Sequence, residues 1–208
     1  MNLTVIKQWD LATGNLRNYE GIATLMLRLY LAPVLIQAGW TKFRAFDKTV
    51  SWFGNAEWGL GMPFPALMVG LVVLAEMVGG ALLLAGLMTR LVTIPLMITM
   101  LVAALFVHGQ NGWLAIADAS SWFADGPIYL DETVMAAPEK LEAARSLLKQ
   151  HGDYQWLTAS GRLVILNNGI EFAATYFIML LALLFMGGGA YVSLDYWLWR
   201  WLKRKSVT

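Results

Sequence analysis

The chain has 208 residues, of which 58% are hydrophobic and only 14% are charged. A soluble domain usually carries about 25% charged and 45–50% apolar residues, so both deviations indicate an integral membrane protein. The formal net charge of +1 gives no reason to expect a nucleic-acid partner. Because the chain has no cysteine, its own residues cannot form a disulfide, hold an iron–sulfur cluster by thiolates or supply a thiol nucleophile.

Four apolar stretches are long enough to cross a bilayer, for which a helix needs about 17–25 residues. The predicted spans are residues 21–40, 65–87, 91–108 and 163–191. Their hydrophobicity is continuous, whereas the strands of a membrane barrel alternate between apolar and polar residues. We therefore predict an all-α polytopic membrane protein, a four-transmembrane-helix bundle formed by a single domain over residues 1–208.

The segments outside the spans predict the orientation. The first residues, MNLTVIKQWDLATGNLRNYEG, contain no compact apolar core and no small-residue cleavage site, so we expect no cleavable signal peptide. Four spans place both termini on one side of the membrane. The basic tail WLWRWLKRK follows the last span directly, and basic residues close to a span favour the cytoplasm. We therefore expect cytoplasmic termini.

A long segment, residues 109–162, separates the third and fourth spans and is expected on the outer face. Loops of this length in compact proteins usually have a function. Within it, residues 138–152 predict a short amphipathic helix, because Pro138 suits a first helical turn and Gly152 a helix end.

Ionisable side chains inside or at the rim of the spans are the strongest functional signal. A charge at mid-bilayer costs roughly 2.5–3.5 kcal/mol on insertion scales, so it is seldom carried without a partner or a function. The residues concerned are Arg28, Glu76, His108 and Glu171.

Helical spacing predicts which of these groups can meet. Arg28, Gly39 and Lys42 fall on one stripe of the first span. A single ion pair could join Arg28 to Glu76 of the second span. Since helical side chains point towards their own N-terminus, that pair would depend on the length of the arginine or on a water molecule. Alternatively, a buried pair of this kind only fixes the register of the helices.

The remaining polar groups suggest proton transfer. Glu171 is expected to lean towards Lys42, His108 or the neighbouring Asn168. An imidazole near a carboxylate can exchange protons at neutral pH, and reduction or oxidation of a quinone requires such an exchange. A metal site is not predicted: the chain has two histidines, too few within the spans for a bis-histidine haem.

Six segments resemble the DoxX family of four-span bacterial inner-membrane proteins. They are LRLYLAPVLIQAGWTKF (27–43), TVSWF (49–53), GMPFPALM (61–68), LAEMVGGALLLAGLMTR (74–90), HGQNGW (108–113) and GIEFAATYFIMLLALLFMGGGAYVSLD (169–195). Family residues that recur together map onto Arg28, Gly39, Lys42, Glu76, Gly79, Gly80 and Glu171. The resemblance implies the fold, a bacterial inner membrane and a relation to the membrane subunits of thiosulfate:quinone oxidoreductase. The insert at 114–162 departs from the short loop usual in the family.

Three functions are open from the sequence. The first is a redox-associated membrane subunit that binds a quinone or similar redox lipid and needs an electron-donating partner, docked on the 109–162 loop. A homo-oligomer is also considered. The others are a small-solute transporter or exporter, and a non-catalytic assembly subunit in a redox-stress or metal-handling system. In the first, the proton-handling catalytic residues are Glu76, Glu171 and His108, and the cofactor-binding residues are Arg28, Gly39, Lys42 and Asn168.

Overall fold

The computed structural model describes residue 14 and residues 19–124 and 130–206. In this part of the chain the regular structure is helical apart from isolated bridge residues, which include the antiparallel bridge between Ile116 and Leu166; this agrees with the predicted all-α class. In chain order the helices are α1 (Glu20–Arg44), α2 (Phe46–Gly54), α3 (Pro65–Ala85), α4 (Thr89–Val107), α5 (Glu132–Met135), α6 (Ala137–His151), α7 (Tyr154–Thr158), α8 (Glu171–Met186) and α9 (Leu194–Lys205).

Three of these helices are long and apolar enough to cross a membrane: α1, α3 and α4. They coincide with the first three predicted spans to within a few residues at each end. With 25 residues, α1 is about 38 Å long, which exceeds a hydrocarbon core of about 30 Å. Pro33 lies inside α1 and Pro95 inside α4, and both helices continue past them.

The fourth predicted span is longer than the helix that the structure contains. Helix α8 has 16 residues, so it is an apolar helix below the length expected for a span. The prediction of helix over 163–170 and 187–191 is wrong. After Met186 the chain passes through Gly187 and Gly189, whose φ angles are 78° and 91°. Glycine adopts this left-handed conformation without steric cost and ends a helix there.

The described chain divides into two compact units. One combines Met1–Met100 with Tyr176–Thr208, and the other is Leu101–Thr175. In the first unit, leucines of α1, α3, α4 and α8 form a buried apolar core. Its fully buried members are Leu31, Leu35, Leu83, Leu96, Leu180 and Leu183. Between membrane helices such cores depend on van der Waals packing, because lipid is as apolar as leucine.

The second unit includes the predicted loop, residues 109–162. Within this segment Leu114, Ala124 and Val134 form a small buried core. The Asp131 side chain accepts hydrogen bonds from the backbone N–H groups of Thr133 and Val134 and so caps α5. Helix α6 occupies Ala137–His151, where the sequence predicts an amphipathic helix over 138–152.

Candidate functional site

A buried ion pair joins α1 to α3. The Lys42 Nζ atom lies 2.9 Å from Oε1 and 2.7 Å from Oε2 of Glu76. The Glu76 side chain is only 3% exposed, whereas that of Lys42 is 30% exposed. The carboxylate is therefore enclosed by protein. Lys42 is its one charged contact in the described structure, and part of the lysine side chain is exposed.

Small residues allow this pair to form. A Cβ atom added to Gly39 would lie 2.7 Å from Cγ of Met77 and 2.9 Å from Cβ of Glu76. One added to Gly80 would lie 2.8 Å from a side-chain carbon of Ile36. The two backbones thus approach as closely as small-residue contacts permit. Lys42 follows Gly39 by three residues and therefore lies on the same face of α1.

Glu76 lies in an irregular turn of its helix. Residues Ala75–Gly79 form a π-helical segment between two α-helical parts of α3. Such segments are rare and occur frequently at functional sites. The sequence gives no signal for this turn, since alanine, methionine and valine are all compatible with an ordinary α-helix.

Arg28 belongs to the opposite end of the same helix contact. It is fully buried, and its guanidinium donates to the carbonyl oxygens of Leu84 at 3.3 Å and Val192 at 2.8 Å. The predicted pair between Arg28 and Glu76 is wrong. Because α1 and α3 run antiparallel, Arg28 lies level with the end of α3, while Glu76 lies level with Lys42. Arg28 therefore ties α1 to α3 and to the segment before α9.

The second unit contains a separate cluster of predicted residues. His108 Nδ1 lies 2.9 Å from the carbonyl oxygen of Asn168, which Asn111 Nδ2 also approaches at 3.1 Å. Since a carbonyl only accepts, Nδ1 carries the proton in this contact. Oε2 of Glu171 accepts a hydrogen bond of 2.9 Å from the backbone N–H of Ala115. The residues predicted for the functional site thus fall into three groups of contacts: the Lys42–Glu76 pair, the hydrogen bonds of Arg28 and this cluster.

Two hydrogen bonds of the second unit could not be predicted from the sequence. The Asn167 side chain donates to the carbonyls of Asn111 at 2.7 Å and Leu114 at 2.9 Å. Asn168 itself has a left-handed φ of 59°. The sequence Asn-Asn-Gly is typical of a turn and could have indicated a break before α8.

In the part of the chain that the structure describes, no group of three His, Asp or Glu side chains could hold a metal ion.

The apolar helices and the charged contact buried between two of them define a helical membrane protein. A family model described as DoxX matches residues 23–109. A protein of Bacillus subtilis (strain 168) named "Putative oxidoreductase CatD" is 30% identical over 97 residues, which cover 47% of this chain and 68% of that protein. The chain belongs to the DoxX family.

No solved structure is significantly similar to the chain. The matched range of the family, residues 23–109, contains Arg28, Gly39, Lys42 and Glu76, together with His108 near its end. Glu171 lies outside it. The Lys42–Glu76 pair and the hydrogen bond from Arg28 to Leu84 therefore lie within the matched range, while Val192 and most of the second unit lie outside it.

Proposed function

We propose that this protein is a membrane subunit of a redox system and that it binds a quinone, or a similar amphipathic redox lipid, beside the Lys42–Glu76 pair. The observation that carries the proposal is the unequal exposure of the two side chains, 30% for Lys42 and 3% for Glu76. The lysine has a side that a ligand from the lipid phase can reach, and the carboxylate behind it is held by the helix contact.

The chemistry of the pair suits a carbonyl ligand. An ammonium group has three N–H donors, and Lys42 directs two short hydrogen bonds to Glu76. The third is available for a carbonyl oxygen.

A bound quinone would accept two electrons and two protons. Lys42 would orient the carbonyl and give a proton to the reduced ligand. Glu76, which carries no proton as a carboxylate, would take one up from water and pass it to the neutral lysine, and a second such cycle would supply the second proton. The electrons must come from a partner protein, for which we propose the 109–162 segment as the docking surface. His108 and Glu171 are proposed to handle protons in the same reaction, and Asn168 to orient the imidazole through its carbonyl.

The proposal includes the membrane arrangement. We place the protein in a bacterial inner membrane with cytoplasmic termini and with α8 as a fourth membrane helix. At 16 residues, α8 is about 24 Å long, and a bilayer accommodates a short helix by local thinning at a modest cost. The name of the Bacillus subtilis relative supports a redox role.

The test begins with protein purified gently from its native membrane. Bound lipids are extracted and analysed by optical and mass spectrometry for the parent chain, for Lys42→Met and for Glu76→Gln. The matched control is Lys48→Met, which removes an exposed lysine from α2. We expect a stoichiometric quinone in the parent and in the control, and its loss from Lys42→Met.

Two results would contradict the proposal. A parent protein without quinone, or a Lys42→Met variant that retains it in full, would leave the pair a structural contact that fixes helix register. Glu171→Gln separates binding from proton transfer, because the amide oxygen can still accept the hydrogen bond from Ala115. This variant should bind quinone and lose proton-coupled turnover.

A further inference from the structure

Helix α9 carries an apolar stripe that the rest of the described chain does not cover. The stripe follows helical spacing and places large side chains on one face. Each of its members is between 47% and 57% exposed. They are Leu194, Trp197, Leu198, Trp201 and Leu202.

Basic residues are concentrated in the second half of α9. The tail carries four of them against a single carboxylate, and they are Arg200, Lys203, Arg204 and Lys205, with Asp195 as the acid. The ammonium of Lys203 lies 3.8 Å from the ring centroid of Trp199, and that of Lys205 lies 4.0 Å from Trp201. The two ammonium groups thus lie against indole rings, Lys203 on the side of α9 away from the apolar stripe and Lys205 at the C-terminal end of the helix.

The start of α9 is fastened to the ends of two membrane helices. Asp195 Oδ1 accepts from the N–H of Met88 at 2.7 Å, and Oδ2 accepts from the N–H of Thr89 at 2.9 Å. The N–H of Asp195 donates to the carbonyl of Gly86 at 3.0 Å. This turn joins the end of α3 to the beginning of α4. Because both helices end there, the turn lies at the boundary of the bilayer, and α9 begins at the same level.

We infer that α9 lies in the membrane interface and binds anionic lipid headgroups through its four basic residues, with its Trp and Leu stripe among the acyl chains. An amphipathic helix with tryptophan and leucine on one face and Lys and Arg on the other has the composition of an interfacial helix. The hydrogen bonds between Asp195 and residues 86–89 already hold α9 at the membrane surface, so its binding to lipid loses little translational and rotational entropy. The positive charge selects an anionic surface over a neutral one.

Spin labels can test this in the full chain, because it contains no cysteine. Leu198→Cys places a nitroxide on the apolar stripe, and Lys203→Cys places one on the opposite side of α9. Each labelled protein is reconstituted into vesicles of phosphatidylcholine alone, or with about one-third phosphatidylglycerol, an anionic lipid. Collision rates with oxygen and with a water-soluble nickel chelate then report whether each label is in lipid or in water.

We expect the label at 198 to collide mainly with oxygen and the label at 203 mainly with nickel. The contrast should grow with phosphatidylglycerol, since each basic residue near an anionic surface favours binding roughly fivefold. Replacing the four basic residues by Gln should remove that increase. So should high salt, because about 1 M salt shortens the screening length to about 3 Å.

Three outcomes would overturn the inference. Equal access of nickel to both labels in anionic vesicles would place the stripe in water. Shielding of position 198 from both oxygen and nickel in the vesicles would show that protein covers it. A label shielded only after a soluble partner is added would assign the face to that protein instead of to lipid.

Discussion

Removing either partner of the Lys42–Glu76 pair should destabilise the protein by unequal amounts. In Lys42→Met the Glu76 carboxylate, 3% exposed, loses its counter-ion while remaining inside the helix contact. Breaking a buried ion pair from one side costs about 3–5 kcal/mol. In Glu76→Gln the remaining lysine is 30% exposed and can turn its ammonium outwards along its flexible chain. We expect a loss of only about 1 kcal/mol there, because the ammonium regains contact with the surroundings and the amide oxygen of Gln can still accept a hydrogen bond.

The double variant Lys42→Met/Glu76→Met tests whether the two side chains stabilise the protein as a pair. Apolar residues of similar volume often replace a buried ion pair without loss of stability. We therefore expect the double variant to be more stable than Lys42→Met alone. Unfolding in mixed detergent micelles, followed by circular dichroism, measures the free energy of unfolding for each protein, and Lys48→Met serves as the exposed control.

The expected order is the parent, the control and the double variant close together, then Glu76→Gln, and Lys42→Met last. If Glu76→Gln were as unstable as Lys42→Met, the carboxylate would not be the more buried partner. If the double variant were less stable than both single variants, the two side chains would contribute independently instead of as a pair.

Two further predictions use the same unfolding measurement. Gly39→Ala should lower the free energy of unfolding by about 1–3 kcal/mol, because the new Cβ would meet Met77 at 2.7 Å. The control Gly70→Ala has no atom within 4 Å of the new Cβ and should leave that free energy unchanged or slightly raised. Equal losses in the two variants would refute the close helix contact. Asp195→Ala should cost about 0.5–2 kcal/mol, since its carboxylate caps the N–H groups of Met88 and Thr89, and Asp195→Asn should recover part of that loss.

The membrane helices could be predicted because a spanning helix is specified by the hydropathy of many residues together. A single polar residue or proline lowers the mean hydropathy of such a segment only slightly, and α1 and α3 begin and end close to their predicted limits. The end of α8 could not be predicted in this way. It depends on left-handed glycines at 187 and 189, and an apolar sequence with glycine is compatible with either a helix or a turn.

The members of the site were easier to predict than their partners. A charged residue among apolar neighbours is visible in the sequence, and so is its face on its own helix. The axial register between two helices is not visible, and it decides that Glu76 meets Lys42 and not Arg28. Here the connection from α1 to α3 contains another helix, α2, so the register could not be obtained by folding the chain about a tight turn.

Contacts to the backbone were the least predictable part. Arg28 is held by two carbonyl oxygens and Glu171 by one N–H group. Every residue carries such groups, so no residue type in the sequence identifies the partner. The cluster around His108 has the same origin, since the carbonyl of Asn168 receives its hydrogen bond.

Two cations of α1, Arg28 and Lys42, show why the chemistry is more readily placed at one end of the helix contact than at the other. Arg28 directs its guanidinium to backbone carbonyls, which neither move nor change charge, and it is fully buried. A planar guanidinium stays charged and suits fixed, structural contacts, whereas an ammonium on a flexible chain can change partners and protonation state. Lys42 faces a carboxylate that can accept a proton, and part of its side chain is reachable from outside. Only the Lys42 end therefore combines access with a group that can take up charge, which is why the proposed redox ligand is assigned to that end and the Arg28 end is assigned the role of holding the helices in register.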